Sequence, residues 1–272
     1  MPPHTTLPRT ELRAAVLAVA ASFAAMVGGC LMFLISGTDV PDLFVLLGRL
    51  LPGVASLVAV VALLGRDHLA RLWRWRPASP RELAASFGLA LVVMLPTLVL
   101  PAVAGLAFGA ELEPADVLLA ALPTIVMGTL LFALSTVGEE VLWRGQLQSL
   151  LRDQGFWRSS TIVGLLWMLF HVPLNLTYLA QGTLSTAEAI ATTLSVAAWA
   201  PLLAALVERR GTIWPAVFAH AVPLSSLQLL TASSVAAPTT FWATNILAWV
   251  AMPTVAAVVL RRSARVRASV PV

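Results

Sequence analysis

Gly138-Glu139-Glu140-Val141-Leu142-Trp143-Arg144 decides the fold of this chain. The seven residues follow directly on Ile125 to Val137, an apolar run suited to the inside of a bilayer. Carboxylates and guanidinium groups at such a place are costly, about 2.5–3.5 kcal/mol each on insertion scales at a helix centre. Groups retained at that cost face a bundle interior or a wet cavity and mark a working site. Whatever else in the chain converges on them shares in that work.

Composition agrees with a bilayer setting. Of 272 residues, 59% are apolar and only 11% charged, against about a quarter charged in a soluble domain. Mean hydropathy is +0.88. All 17 basic residues are arginine, which together with abundant alanine fits a GC-rich bacterial genome and hence a bacterial inner or plasma membrane. The pI near 10.9 does not point to nucleic acid, because the arginines sit in short clusters beside apolar spans. Anionic lipid headgroups and topology signals explain them. A single cysteine, Cys30, excludes an intrachain disulfide and a cysteine-built metal site. Val27-Gly28-Gly29-Cys30 faintly resembles a lipoprotein cleavage box, but the apolar run continues through Leu31 to Ile35, so a first transmembrane helix is expected there.

Crossing about 30 Å of hydrocarbon takes about 20 helical residues. Eight runs qualify, near 14–36, 43–65, 83–109, 117–137 (extending as a helix to 151), 160–180, 186–207, 212–230 and 241–260. Asp39 and Asp42 follow span one, and Glu111, Glu113 and Asp116 follow span three, with no arginine in either loop. Arginines follow spans two (Arg66, Arg71, Arg74, Arg76, Arg81), four (Arg152, Arg158), six (Arg209, Arg210) and eight (Arg261, Arg262, Arg265, Arg267). Basic loops stay in the cytoplasm. The expected fold is therefore all-α: a polytopic bundle of about eight transmembrane helices, both termini cytoplasmic, in a single integral domain over 1–272.

Three local features carry expectations of their own. Leu72-Trp73-Arg74-Trp75-Arg76-Pro77 has the composition of an interfacial lipid contact. Arg49, early in span two, is expected to snorkel outward or to pair with Asp39 or Asp42. Pro123 is expected to break span four, leaving a helix of about 42 Å from Thr124 to Leu151, with Glu139 about 18 Å from its cytoplasmic end.

Of four histidines, His4 and His68 lie at or beyond the surface and read as solvated polar residues. His171 comes 11 residues after Ser160, about 17 Å into span five. His220 comes 8 residues after Thr212, about 12 Å into span seven. Glu139, His171 and His220 thus reach similar depths below one face from three helices. A single intramembrane histidine is readily explained as an interhelical hydrogen bonder; two, level with a double glutamate, are better explained as a site. Glu140 and Arg144 are spaced i, i+4 with the acid first, the favoured ion-pair order. Glu139, about 100° around the helix, is left over from that pair and available as a general base.

Glu139-Glu140-x-x-x-Arg144, a histidine on the next helix, and Trp214-Pro215-Ala216-x-x-Ala219-His220-Ala221 together resemble the CPBP family. These are intramembrane endopeptidases grouped as CAAX proteases and bacteriocin-processing (Abi-type) enzymes. The resemblance covers residues 125–226, a catalytic core within the membrane domain. It implies hydrolysis of a peptide bond in a membrane protein or peptide, beneath the cytoplasmic face and without a cofactor. Glu139 would activate water with help from His171, His220 would stabilise the oxyanion, and Glu140 with Arg144 would hold the helix geometry. Two positions depart from the family pattern. Trp167 stands where Phe is often found, four residues before the first histidine. Leu224 stands where Asn or a similar polar residue usually follows the second. Losing one oxyanion donor costs on the order of 10²–10³ in rate. Asn175, one turn beyond His171, is a candidate substitute donor, or else a cap on a break after Pro173.

Two other classes fit the same residues. Glu139, His171 and His220 form a two-histidine, one-carboxylate set of the kind that holds catalytic zinc, although no His-Glu-x-x-His occurs. A transporter or an immunity-type binding protein would use the carboxylate for protons or partner contacts. The absence of recognisable repeats weighs against transport.

Overall fold

The computed structural model describes residues 9–76, 78–109, 114–226 and 238–268. Eleven α-helices run through them: α1 (Arg9–Ser36), α2 (Asp42–Gly48), α3 (Leu51–Leu64), α4 (Leu69–Leu72), α5 (Pro80–Leu106), α6 (Ala115–Glu140), α7 (Gln148–Leu150), α8 (Phe156–Ala180), α9 (Thr186–Arg210), α10 (Trp214–Ser226) and α11 (Pro238–Ala268). A π-helical segment, Val141–Leu147, joins α6 to α7. Among the described residues there is no strand.

Six helical stretches among the described residues are long and apolar enough to cross a membrane: Arg9–Ser36, Asp42–Leu64, Val126–Leu150, Phe156–Ala180, Thr186–Arg210 and Pro238–Arg261. They correspond to six of the eight expected spans and make this a multi-pass membrane protein. The other two expected spans, 83–109 and 212–230, each include side chains outside the described residues. There, α5 is a helix of 27 residues and α10 one of 13. Large apolar side chains face outward, among them Val16, Val92, Leu134 and Ile35, the last 84% exposed. Hydrocarbon is the solvent in which that surface is stable.

By compactness the chain divides into two units. The first takes Met1–Pro77 with Ser135–Ala200, the second Ala78–Leu134 with Pro201–Val272. In the first unit α1 packs on α3 and α8. Its buried ridge is Ala14, Ala18, Ser22, Met26 and Cys30, one residue every four, and mostly small. Small side chains let helix backbones approach where no hydrophobic effect drives them together. The π-helical segment lies against α1, α3 and α8, and every residue in it is buried. In the second unit α5 packs on α10 and α11. Ser79 and Glu82 form a capping box at the start of α5, with Pro80 in its first turn. Phe87 of α5 meets Phe218 of α10 edge-to-face at 5.4 Å.

Four local expectations change. Pro123 lies inside α6 and does not end it. The uninterrupted α-helix expected to Leu151 gives way to the π-helical segment immediately after Glu140. Pro173 likewise lies inside α8, where its carbonyl accepts from Thr177 Oγ1 at 2.9 Å, so Asn175 caps no break. Trp73 turns inward: its indole N–H donates to Ser56 Oγ at 2.8 Å, and Arg74 Nε donates to Ser149 Oγ at 3.1 Å. Half of the anticipated lipid patch is therefore a packing contact.

Candidate active site

Two glycines lock the acidic motif in place. A Cβ on Gly138 would stand 2.5 Å from the carbonyl oxygen of Arg49 and from Cα of Leu50, so the backbone before α3 lies directly against it. A Cβ on Gly145 would stand 2.8 Å from Cα of Trp73. Between these two close approaches run Glu139, Glu140 and the first four π-helical residues. A π-turn closes i→i+5 hydrogen bonds in place of i→i+4 and is a feature of functional sites. Gln146, at the end of the stretch, accepts from Ser56 Oγ at 2.7 Å, the same hydroxyl that Trp73 reaches. Gln148 Nε2 donates to Ser159 Oγ at 2.9 Å and ties the segment to the start of α8. Gly155, at φ +83°, makes the left-handed turn that sends α8 back past the motif.

Glu139, Glu140 and Arg144 have no solvent exposure. Arg144 Nη1 donates to Glu140 Oε1 at 3.0 Å, the pairing that i, i+4 spacing favours. The guanidinium carbon of Arg144 also lies 3.8 Å from the centre of the Trp167 ring on α8. That is a cation–π contact in a dry interior, where such contacts are strongest. The Trp167 indole N–H in turn donates to Glu139 Oε2. The two glutamates are therefore linked through two intermediaries, Arg144 and Trp167, which the sequence separates by 23 positions.

One helical turn beyond Trp167, His171 brings Nε2 to 4.0 Å from the same Glu139 Oε2. Its Nδ1 lies 3.0 Å from the Trp167 carbonyl oxygen. A carbonyl only accepts, so Nδ1 carries the proton in this contact, and a neutral ring then offers Nε2 as an acceptor. Trp167 and His171 meet edge-on at 5.6 Å, and Phe170 holds the other side of the imidazole at 5.4 Å. Glu139 Oε1 is buried and has no hydrogen-bond partner among the described residues.

The remaining sequence-predicted residues fall as follows. Asn175 donates from Nδ2 to Thr193 Oγ1 of α9 at 2.8 Å, and Thr193 passes the bond to the Ala189 carbonyl. His220 is 4% exposed on α10, in the second unit. The side chains of Leu224, Ser225 and Ser226 lie outside the described residues, as does His4. Arg49, expected to snorkel outward or to pair with Asp39 or Asp42, has a charge that interacts with Glu139 and with Tyr178 of α8. As an ionisable residue inside a span, Arg49 carries in the sequence the signal that marks functional positions. Within either unit, the described residues include no group of three or more His, Cys, Asp or Glu that could hold a metal ion.

Residues 120–223 match the family model of type II CAAX prenyl endopeptidases, Rce1-like. This stretch is Rce1-like. It holds Glu139, Glu140, Arg144, His171 and His220, and agrees with the CPBP resemblance of the motifs. The Rce1-like family is a family of proteases, so the match supports a membrane protease. No curated protein matches the chain. The Rce1-like stretch begins within α6 and ends within α10, leaving α1 to α5 and α11 outside it.

Proposed function

We propose that this protein is an intramembrane endopeptidase. It hydrolyses a peptide bond of a membrane-associated substrate near the cytoplasmic face, with Glu139 as the base that activates water. The observation that carries this reading is the buried Glu139 carboxylate with His171 Nε2 4.0 Å away. That separation is too long for a direct hydrogen bond and suits one water reaching both groups. Such a water gives one hydrogen to Glu139 and offers the other to His171 Nε2. As Glu139 takes its proton, the oxygen bonds to the scissile carbonyl carbon and the carbonyl electron pair moves onto oxygen. When that oxyanion collapses, the C–N bond breaks and the proton held by Glu139 passes to the leaving nitrogen.

His220 is assigned to the oxyanion on motif order, as the histidine of the second Rce1-like motif. Asn175 is the further donor available from α8 and would have to release Thr193 to serve. Glu140 and Arg144 act on geometry alone. The alternation of arginine-rich and arginine-free loops supports eight spans with both termini in the cytoplasm, most simply in a bacterial inner or plasma membrane. Catalysis is assigned to the glutamate without a metal. Leu224 favours one other reading, a non-proteolytic binding or immunity protein that keeps the scaffold.

Cleavage of membrane-anchored peptides, with and without a prenylated cysteine, by purified wild type and Glu139→Gln tests the assignment. Loss of cleavage in the variant, and wild-type cleavage unaffected by chelator, is expected. Chelator inhibition would replace the free glutamate base with a zinc site on Glu139, His171 and His220. Absence of cleavage of every probe by wild type would leave the binding-protein reading.

A further inference from the structure

The base of a hydrolase must be held as well as buried, and here the holding group is one that a phenylalanine cannot supply. Trp167 occupies the position where the resembling family often has Phe. A phenyl ring there would pack beside His171 and receive Arg144, since both contacts use the ring. It has no N–H. In this chain the indole N–H donates to Glu139 Oε2, the oxygen that also faces His171 Nε2.

We propose that Trp167 is a positioning residue for the general base, its indole N–H fixing Oε2 of Glu139 so that the carboxylate and His171 address the same water. This deepens the endopeptidase reading and rests on it. Three features support the role. Trp167 is 1% exposed, so its bond to the carboxylate does not compete with bulk water. A hydrogen bond to a charged group in such surroundings is about twice as strong as a neutral one. The ring is itself held from its face by Arg144, which Glu140 anchors through the 3.0 Å ion pair. The second glutamate and the arginine thereby reach the first glutamate through the indole: Glu140 fixes Arg144, Arg144 fixes the ring, and the ring fixes Glu139. The backbone of the same residue serves the partner group, since the Trp167 carbonyl accepts from His171 Nδ1. One residue thus sets the orientation of both members of the pair.

The test separates the N–H from the ring. Trp167→Phe removes the donor and part of the volume, while replacement of Trp167 by its sulfur isostere benzothienylalanine removes the donor and keeps the bicyclic shape. Both are expected to lower kcat about 10- to 100-fold, the range for losing a hydrogen bond to a charged group. KM should stay within about twofold, since substrate binding is not what the donor serves. The isostere should give wild-type folded yield on gel filtration. Normal kcat in the isostere overturns the proposal and leaves the endopeptidase reading standing.

A second readout does not depend on cleavage. With ¹⁵N-tryptophan labelling in detergent micelles, the indole resonance missing from Trp167→Phe belongs to Trp167. It should move in Glu139→Ala, where the acceptor is gone. An unmoved resonance overturns the proposal, whatever the activity. A moved resonance in a wild type that cleaves no probe supports the clamp and overturns the endopeptidase reading instead.

Discussion

Arg144 stacks on the face of Trp167, its guanidinium carbon 3.8 Å from the ring centre, while one of its nitrogens is bound to Glu140. A cation that links the acid ending α6 to an aromatic ring on α8 is a fastener between elements. Buried ion pairs contribute little net stability as pairs, yet breaking one side leaves an uncompensated charge in the interior.

Arg144→Leu should therefore destabilise the fold by about 3–5 kcal/mol, seen as loss of folded yield and a lower melting temperature in detergent. Arg144→Leu combined with Glu140→Leu should recover much of that loss, because no charge is then left alone. Equal stability of the single and double variants would remove the ion pair from the account.

The glycines that bracket the motif give a second prediction. Gly138→Ala and Gly145→Ala push a methyl group into backbone at 2.5 and 2.8 Å, with no side chain to move aside. Each should cost about 1–3 kcal/mol, the range for overpacking a filled interior. Gly28→Ala in α1 meets nothing within 4 Å and should be neutral or slightly stabilising. Thermal unfolding of the three variants side by side makes the comparison, and equal effects would contradict the close approach.

Arg49 and Glu139 interact through their charges although the chain separates them by 90 positions. Arg49→Met and Glu139→Gln should therefore be non-additive in stability, with a coupling of about 0.5–3 kcal/mol in a double-mutant cycle. Additive effects would place Arg49 outside the site.

Asn175 spends its amide on Thr193. Asn175→Ala and Thr193→Ala should have similar, modest effects, each costing about 0.6 kcal/mol of stability, the average for interhelical hydrogen bonds in membranes. A kcat loss of about 10²–10³ in Asn175→Ala alone would instead make Asn175 an oxyanion donor.

Parts of this arrangement are legible in the sequence because they follow from chemistry at fixed spacing. Charges inside an apolar run cannot be passive, four-residue spacing pairs Glu140 with Arg144, and counting residues inward from two loops brings His171 level with Glu139. The π-helical segment is not legible. Periodicity reveals helix type only when one face is polar, and from Gly138 to Gln148 every residue is buried, so there is no phase to read. The inward turn of Trp73 is not legible for a related reason: an Arg-Trp cluster has the same composition whether its rings face headgroups or Ser56. Pro123 and Pro173 show the limit of local rules, since both sit inside helices that continue through them. The donor role of Trp167 needed coordinates, because aromatic identity predicts packing and says nothing about where an N–H points.

The most direct measurement is the rate of peptide-bond cleavage in a membrane-anchored substrate by purified Glu139→Gln, which keeps the side-chain shape and removes the base. Folded yield equal to wild type, with cleavage reduced at least about 10²-fold, is the predicted result. Cleavage at the wild-type rate by a folded Glu139→Gln protein would contradict the central claim that Glu139 activates the water.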